Sequence, residues 1–587
     1  MRTPALCLPA VLAVWLCPGP PAAAAPAARN ELLRLVPDDV TFCLLLQDLR
    51  EHARALRASP FAADLARTPL GAGLAATPEL RRLDEADAFL RAGLGLSAAE
   101  LRDEILGDAV VVAFRTGGGQ GEREQGLILA WVRDPRLAAR LVARLNQSPD
   151  VKGVREEDHL GTSYFRRMKD RGPDEFLALD GRVLLFSTSE RMLREALERR
   201  PDRGEEAGAP PPLARALEQL GVQDKMLVWW LNPRSFDAEL GERAAAAAGA
   251  ERAFLEQFLI YWKALDGFAL YASPSGVAEA GAAARVRVDA LPAAARGFLR
   301  EASCPSALWQ AIPDDALFAV AGRTDFAAAV EMFARFMDAK GREDVRAFIQ
   351  DHVAPALGRG VLEKVVAALG PDWGFWVAPP RETGAGWFPE FAFALRVGPV
   401  ATPDGGGGGG EEARGEEVDR ALLNGLNLLS FLLRFAYNRA HPGDDQIHTD
   451  EEKQGETVVR YFYNAKRFPR GFRPAFAIKG GYLLLTGSPE TIRRFEPPAA
   501  GPCDVAAEVP LLRLSVREAR EYLTRHRAAL VALLADARGV PEPEVGRRFD
   551  ELLANLSPFD RIEVVQQCGA GYANLTLRVR TEKPLRE

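Results

Sequence analysis

One stretch of this chain is written twice. Residues 176–194 read Phe-Leu-Ala-Leu-Asp-Gly-Arg-Val-Leu-Leu-Phe-Ser-Thr-Ser-Glu-Arg-Met-Leu-Arg, and residues 476–494 read Phe-Ala-Ile-Lys-Gly-Gly-Tyr-Leu-Leu-Leu-Thr-Gly-Ser-Pro-Glu-Thr-Ile-Arg-Arg. In both, an apolar run reaches a glycine (Gly181, Gly481), a second apolar run follows, and a hydroxyl-and-carboxylate cluster opens a periodic segment. Two apolar runs about a glycine read as a β-hairpin, because glycine alone adopts left-handed backbone freely. A hydroxyl followed by a carboxylate reads as a helix start, since it satisfies orphan amides and faces the positive helix end. Thr188 and Ser488 are the expected caps, with Glu190 and Glu490 beside them.

The echo extends along the chain. Pro37-Asp38-Asp39 precedes the apolar run 40–46, and Pro313-Asp314-Asp315 precedes 316–321; proline holds its predecessor extended while the carboxylates start a turn. Gly107 and Gly370 precede strand pairs at 109–114 with 126–132 and 373–378 with 391–397. Tyr164 and Tyr461, Leu227 and Leu512, and Asp266 and Asp560 follow in unbroken order, with the largest jump where the glycine run 405–410 is inserted. The expectation is a tandem duplication, residues 30–300 and 301–587. Each copy is an α+β unit with mainly antiparallel sheet and packed helices, because strands pair locally through hairpins and helices fall between them.

A chain of 587 residues is too long for one core. It is 48% apolar and 26% charged, which is globular composition, and its net charge of -7 argues against a nucleic-acid binder, since no domain-scale basic surface is implied. Residues 1–24 read as a signal peptide: Arg2, an apolar run over 5–17, then small residues with a cleavage point after Ala24. That run is short and broken by Pro9, so export is expected, to the periplasm or cell surface, with a retained N-terminal anchor as the alternative. No membrane span is expected after cleavage. The long apolar segment 418–437 is interrupted by Asn424, Asn427 and Arg434, and reads as a packed helix. The glycine run before it lacks the Gly-Lys-Ser/Thr ending of a phosphate loop and reads as a flexible insert. Cys43, Cys304, Cys503 and Cys568 are too widely spaced for a CxxC site, and their pairing is open.

Pro37-Asp38-Asp39 before a strand, Gly107 before a hairpin, and Asp180-Gly181 before Leu184-Leu185-Phe186-Ser187 and a helix together resemble an uncharacterised family of exported bacterial proteins, a domain of unknown function. The resemblance implies export and a repeated α+β unit. It brings no catalytic residues, because its motifs consist of turns and core positions.

No zinc-protease helix, serine-hydrolase elbow, dinucleotide fingerprint or calcium loop occurs, and no cofactor is expected. The nearest approach to a metal site is His441, Asp444, Asp445, His448, Asp450 and Glu451, with His441, His448, Asp444 and Asp450 the candidate ligands. Against this, Pro442-Gly443 marks a loop and the segment reads equally as a solvated acidic turn, like Glu156-Glu157-Asp158-His159 in the first copy. Trp229, Trp230, Trp262, Trp373, Trp376 and Trp387 could line a groove or fill the core; Trp387, in a loop, is the expected exposed one. The function expected is a non-enzymatic exported binding or structural protein of the cell envelope, with a protein or glycan partner. The alternative is an extracytoplasmic hydrolase whose carboxylates come from distant segments.

Overall fold

A computed structural model of the chain describes residues 25–116, 124–149, 151–200, 210–274, 277–348, 350–351, 368–381, 386–397, 410–443, 445–499, 506–569 and 571–583. The expected leader, most of the glycine insert, Asp444 and Cys503 lie outside them.

The first half contributes β1 (Phe42–Gln47), β2 (Ala109–Arg115), β3 (Gln125–Trp131), β4 (Val151–His159), β5 (Thr162–Lys169), β6 (Glu175–Asp180), β7 (Val183–Ser187), β8 (Leu227–Leu231), β9 (Leu265–Ser273) and β10 (Ala278–Val286). The second contributes β11 (Phe318–Arg323), β12 (Leu369–Ala378), β13 (Glu390–Val397), β14 (His448–Gln454), β15 (Thr457–Tyr463), β16 (Ala475–Lys479), β17 (Tyr482–Thr486), β18 (Val509–Ser515), β19 (Phe559–Gly569) and β20 (Tyr572–Thr581). All belong to one 20-stranded sheet, and every neighbouring pair is antiparallel. The first ten strands lie in the order β4-β5-β6-β7-β3-β2-β1-β8-β9-β10. The last ten lie in the order β14-β15-β16-β17-β13-β12-β11-β18-β19-β20, the same pattern. The seam is β10 against β20, Ala278 to Arg285 facing Val579 to Tyr572.

Strand alternation sets the core. In β1, Cys43, Leu45 and Gln47 are buried while Phe42, Leu44 and Leu46 are half-covered, as a period of two requires. Cys43 and Leu45 join Val111, Ala113, Leu127, Leu129 and Leu185 in the first core. Ala319, Ala321, Trp376, Ala392, Ala394, Ala477 and Leu484 build the second.

The helices used below are α1 (Leu49–Ala58), α2 (Pro135–Asn146), α3 (Glu190–Glu198), α4 (Ala293–Ala302), α5 (Gly410–Ala440) and α6 (Pro489–Arg494). Asp134 caps α2 by accepting from the amides of Arg136 and Leu137, and Leu137 and Leu141 are buried. The repeated hairpins turn at Gly181 (φ 60°) and at Gly480 and Gly481 (φ 56° and 76°). The caps fall one residue apart: Ser488 caps α6, but Ser189 caps α3, while the Thr188 hydroxyl accepts from the amide of Gly126. Two segments read as loops are strands. Glu156 to His159 end β4, and His448 to Glu451 open β14. These are the outermost strands, so neither face is pressed into a core and charged side chains keep the open edge from pairing.

The seam is closely fitted. The Tyr271 hydroxyl donates to Asn574 Oδ1 at 2.7 Å and lies 2.5 Å from Thr576 Oγ1. Arg578 joins Glu279 of β10 to Glu508. Near Leu575 stands Gly281, where an added Cβ would run into the Leu575 carbonyl and the Tyr271 hydroxyl, far inside van der Waals contact with both.

A second polar fixture ties β11 to β12. Arg323 pairs with Glu301 of α4 at 2.8 Å and with Asp372 at 3.5 Å, and Asp372 is almost wholly buried. The other Asp372 oxygen accepts from the amide of Ala307.

Candidate binding surface

The proposed metal ligands stand apart in role. His441 stacks on Tyr437 at 4.2 Å. His448 is exposed on β14 and stacks on Tyr463 at 5.3 Å. Asp450 accepts from the Tyr461 hydroxyl at 3.1 Å, and Asp445 pairs with Arg467 at 2.8 Å, which holds its carboxyl below the usual range. Among the described residues no three His, Cys, Asp or Glu side chains are grouped so as to hold a metal ion; Asp444 lies outside them. The tryptophans are mostly packed. Trp230 and Trp376 are in the cores, Trp262 donates to Asp237 and Trp373 to Thr324, and Trp387 is half-buried with its carbonyl accepting from Tyr522.

A dense polar cluster lies in the first half. The Tyr164 hydroxyl lies 2.7 Å from both Glu157 and Glu190, and Arg194 donates to the same oxygen at 2.8 Å. Burial pushes the phenol above its ordinary range; Arg194 opposes this and the two carboxylates add to it. A shallow cavity of about 450 Å³ lies alongside, lined by His159, Glu190, Arg191, Arg194, Glu195 and Glu198. Its polar groups are already partnered: Arg194 pairs with Glu190 at 2.5 Å and Arg191 with Glu195 at 2.8 Å, and His159 Nε2 lies 2.9 Å from Glu198. In the second half, among the described residues, the Tyr461 hydroxyl donates to Asp450, and Glu490 pairs with Arg473.

Asp48 is, among the described residues, a carboxylate held well above its ordinary range. It precedes α1 in left-handed backbone (φ 55°). Burial, then Asp108 and Glu51, push its pKa up to about 6, while Arg50 and Arg29 pull the other way. The folded protein therefore holds this proton more tightly than the unfolded chain does. The contribution to stability is full below about pH 4 and is lost as pH rises through about 6. Asp48→Asn, which tolerates left-handed backbone, is expected to stabilise the protein by about 1–2 kcal/mol at pH 7.5, after allowance for solvent screening, and to change little at pH 4. Urea unfolding at the two pH values measures it.

The most unusual surface is on α5. This helix has 31 residues and is about 46 Å long. Its first part packs conventionally: Val418, Ala421 and Leu422 are buried with Val397 and Leu483. Beyond Asn427 the arrangement inverts. The side toward the body is polar: Arg434 donates to Thr449 of β14 at 2.8 Å, and Asn438 exchanges hydrogen bonds with Ile447 at 3.0 and 2.7 Å. The side toward solvent is apolar: Leu428, Leu429, Phe431, Leu432, Leu433 and Phe435 are 41 to 64% exposed. The segment 418–437, read from sequence as a packed helix, is thus packed for only half its length. The polar positions Asn427, Arg434 and Asn438 recur at helical spacing, so a polar stripe is readable in the sequence; that β14 makes it the inner side is not.

Among the described residues no helix is long and apolar enough to cross a membrane. Comparison with family models, curated proteins and solved structures finds no match.

Proposed function

We propose that the chain is an exported, non-enzymatic binding or structural protein of the cell envelope, built from two copies of one α+β unit, residues 30–300 and 301–587. The observation that carries the binding role is the outward apolar side of α5. Apolar area held in water by hydrogen bonds on the opposite side is unfavourable for an isolated protein and is what an interaction surface requires. The duplication is supported by the shared strand order and the matched hairpins. Export is supported by the apolar leader and by Cys304, which is disulfide-bonded while Cys43 and Cys568 are free; such bonds persist in oxidising compartments.

Cell fractionation tests the reading. The wild-type chain is expected in the envelope fraction, and Leu432→Glu is expected to release it in soluble form while its thermal unfolding is unchanged. Equal retention of the two would remove α5 as the surface, and recovery of the wild type from the cytoplasm would remove export. The hydrolase alternative draws on one observation, the two carboxylates flanking Tyr164. It would be favoured by turnover of an envelope substrate that Glu190→Gln abolishes.

A further inference from the structure

We propose that the outward side of α5 is seated in the interfacial layer of a lipid bilayer, so that the protein is held on a membrane surface without spanning it. This rests on the reading of α5 as a binding surface and names its partner.

The shape of the apolar patch favours lipid over a protein partner. At 100° per residue, Phe431, Phe435, Leu428, Leu432, Leu429 and Leu433 fan across about 200° of the helix circumference. A helix facing one protein neighbour presents a stripe of about 100°, so one partner would leave part of this arc wet. A fluid interface reaches round all of it. The size of the patch points the same way. With these six side chains 41 to 64% exposed, and roughly 200 Å² for each when fully exposed, the patch supplies about 600 Å². A stable protein interface takes about 800 Å² from each partner, so a second copy seated here would fall short.

The chemistry matches an interfacial helix: leucine and phenylalanine on one side, polar groups on the other. Here the polar groups are bonded to β14 and its approach and not to water. Arg439, exposed near the end of α5, is placed to reach headgroups. Close by, β14 carries exposed Asp450 and Glu451. Asp450 disfavours an anionic surface and Glu451 is already paired with Arg460 at 3.2 Å, so hydrophobic insertion and not charge should drive attachment, and neutral phosphatidylcholine vesicles should suffice.

The test uses the full chain as purified, whether or not its leader is retained, and such vesicles. Wild type and Phe89→Glu, which removes an exposed aromatic elsewhere, should co-float with vesicles at about 0.5 M salt, where charge attraction is screened, whereas Leu432→Glu should lose about tenfold or more of the bound fraction. In Leu432→Trp, the added fluorescence should shift to the blue only when vesicles are present, and brominated acyl chains should quench it. This second readout separates insertion of α5 from attachment through a retained leader. The proposal is overturned if the introduced indole is shielded without vesicles, whether in a monomer or with concentration-dependent self-association, or if vesicles leave its emission unchanged. If vesicles fail yet Leu432→Glu still releases the protein from whole envelopes, the lipid proposal is lost, the binding role stands, and the partner is a protein or glycan.

Discussion

Arg323→Met is expected to destabilise the protein by about 3–5 kcal/mol, seen as a lowered urea midpoint with little change in slope. The arginine stands between Glu301 and Asp372. Its removal leaves Asp372 almost wholly buried, accepting from the amide of Ala307 at 3.2 Å but without its cationic partner. An uncompensated carboxylate in such a place costs more than the pair itself contributes, because desolvation is no longer offset. The companion result is therefore as informative as the loss. Arg323→Met combined with Asp372→Leu should recover most of it, since an apolar pair needs no counter-charge. If the double variant is as unstable as the single, the cost lies in packing and not in charge.

The second large effect is at the seam. Gly281→Ala should cost about 3 kcal/mol or more, because the new methyl would overlap the Leu575 carbonyl and the Tyr271 hydroxyl. Tyr271 can swing away only by giving up Asn574 and Thr576, and the carbonyl can retreat only by opening β10 from β20. A matched substitution supplies the contrast. Gly241 lies within a helix with open space around it, so Gly241→Ala should stabilise slightly, by about 0.5–1 kcal/mol. Paired thermal melts that move in opposite directions are the expected outcome; two equal shifts would show that glycine's chain entropy, and not the seam, sets the result.

How much of this was legible in the chain depended on burial. β1, β12 and the hairpin β16–β17 are apolar runs bounded by turn residues, and an antiparallel α+β arrangement follows from them. β4 and β14 escaped because an outer strand has no second neighbour to impose alternation, so Glu156, Glu157 and Asp158 look like a loop. The cap of α3 moved from Thr188 to Ser189 because adjacent hydroxyls are interchangeable to a pattern and only geometry separates them. For α5 the periodicity was readable but its sense was not. Leucine stripes ordinarily face inward, and the reversal follows from hydrogen bonds to Thr449 and Ile447, which are remote from local propensity. The Tyr164 cluster was likewise invisible, since Glu157, Glu190 and Arg194 meet only after β5 and α3 pack.

The continuity of β10 with β20 bears on what happens if the chain is cut. A fragment ending near residue 300 would leave a full row of amides and carbonyls on β10 without a neighbour, bordered by small side chains at Ala280, Gly281 and Ala282 that offer little steric or electrostatic deterrent. Such a fragment would be driven to clump or to zip onto its own kind, so proteolysis between the halves should be followed by precipitation and not by release of two well-behaved pieces.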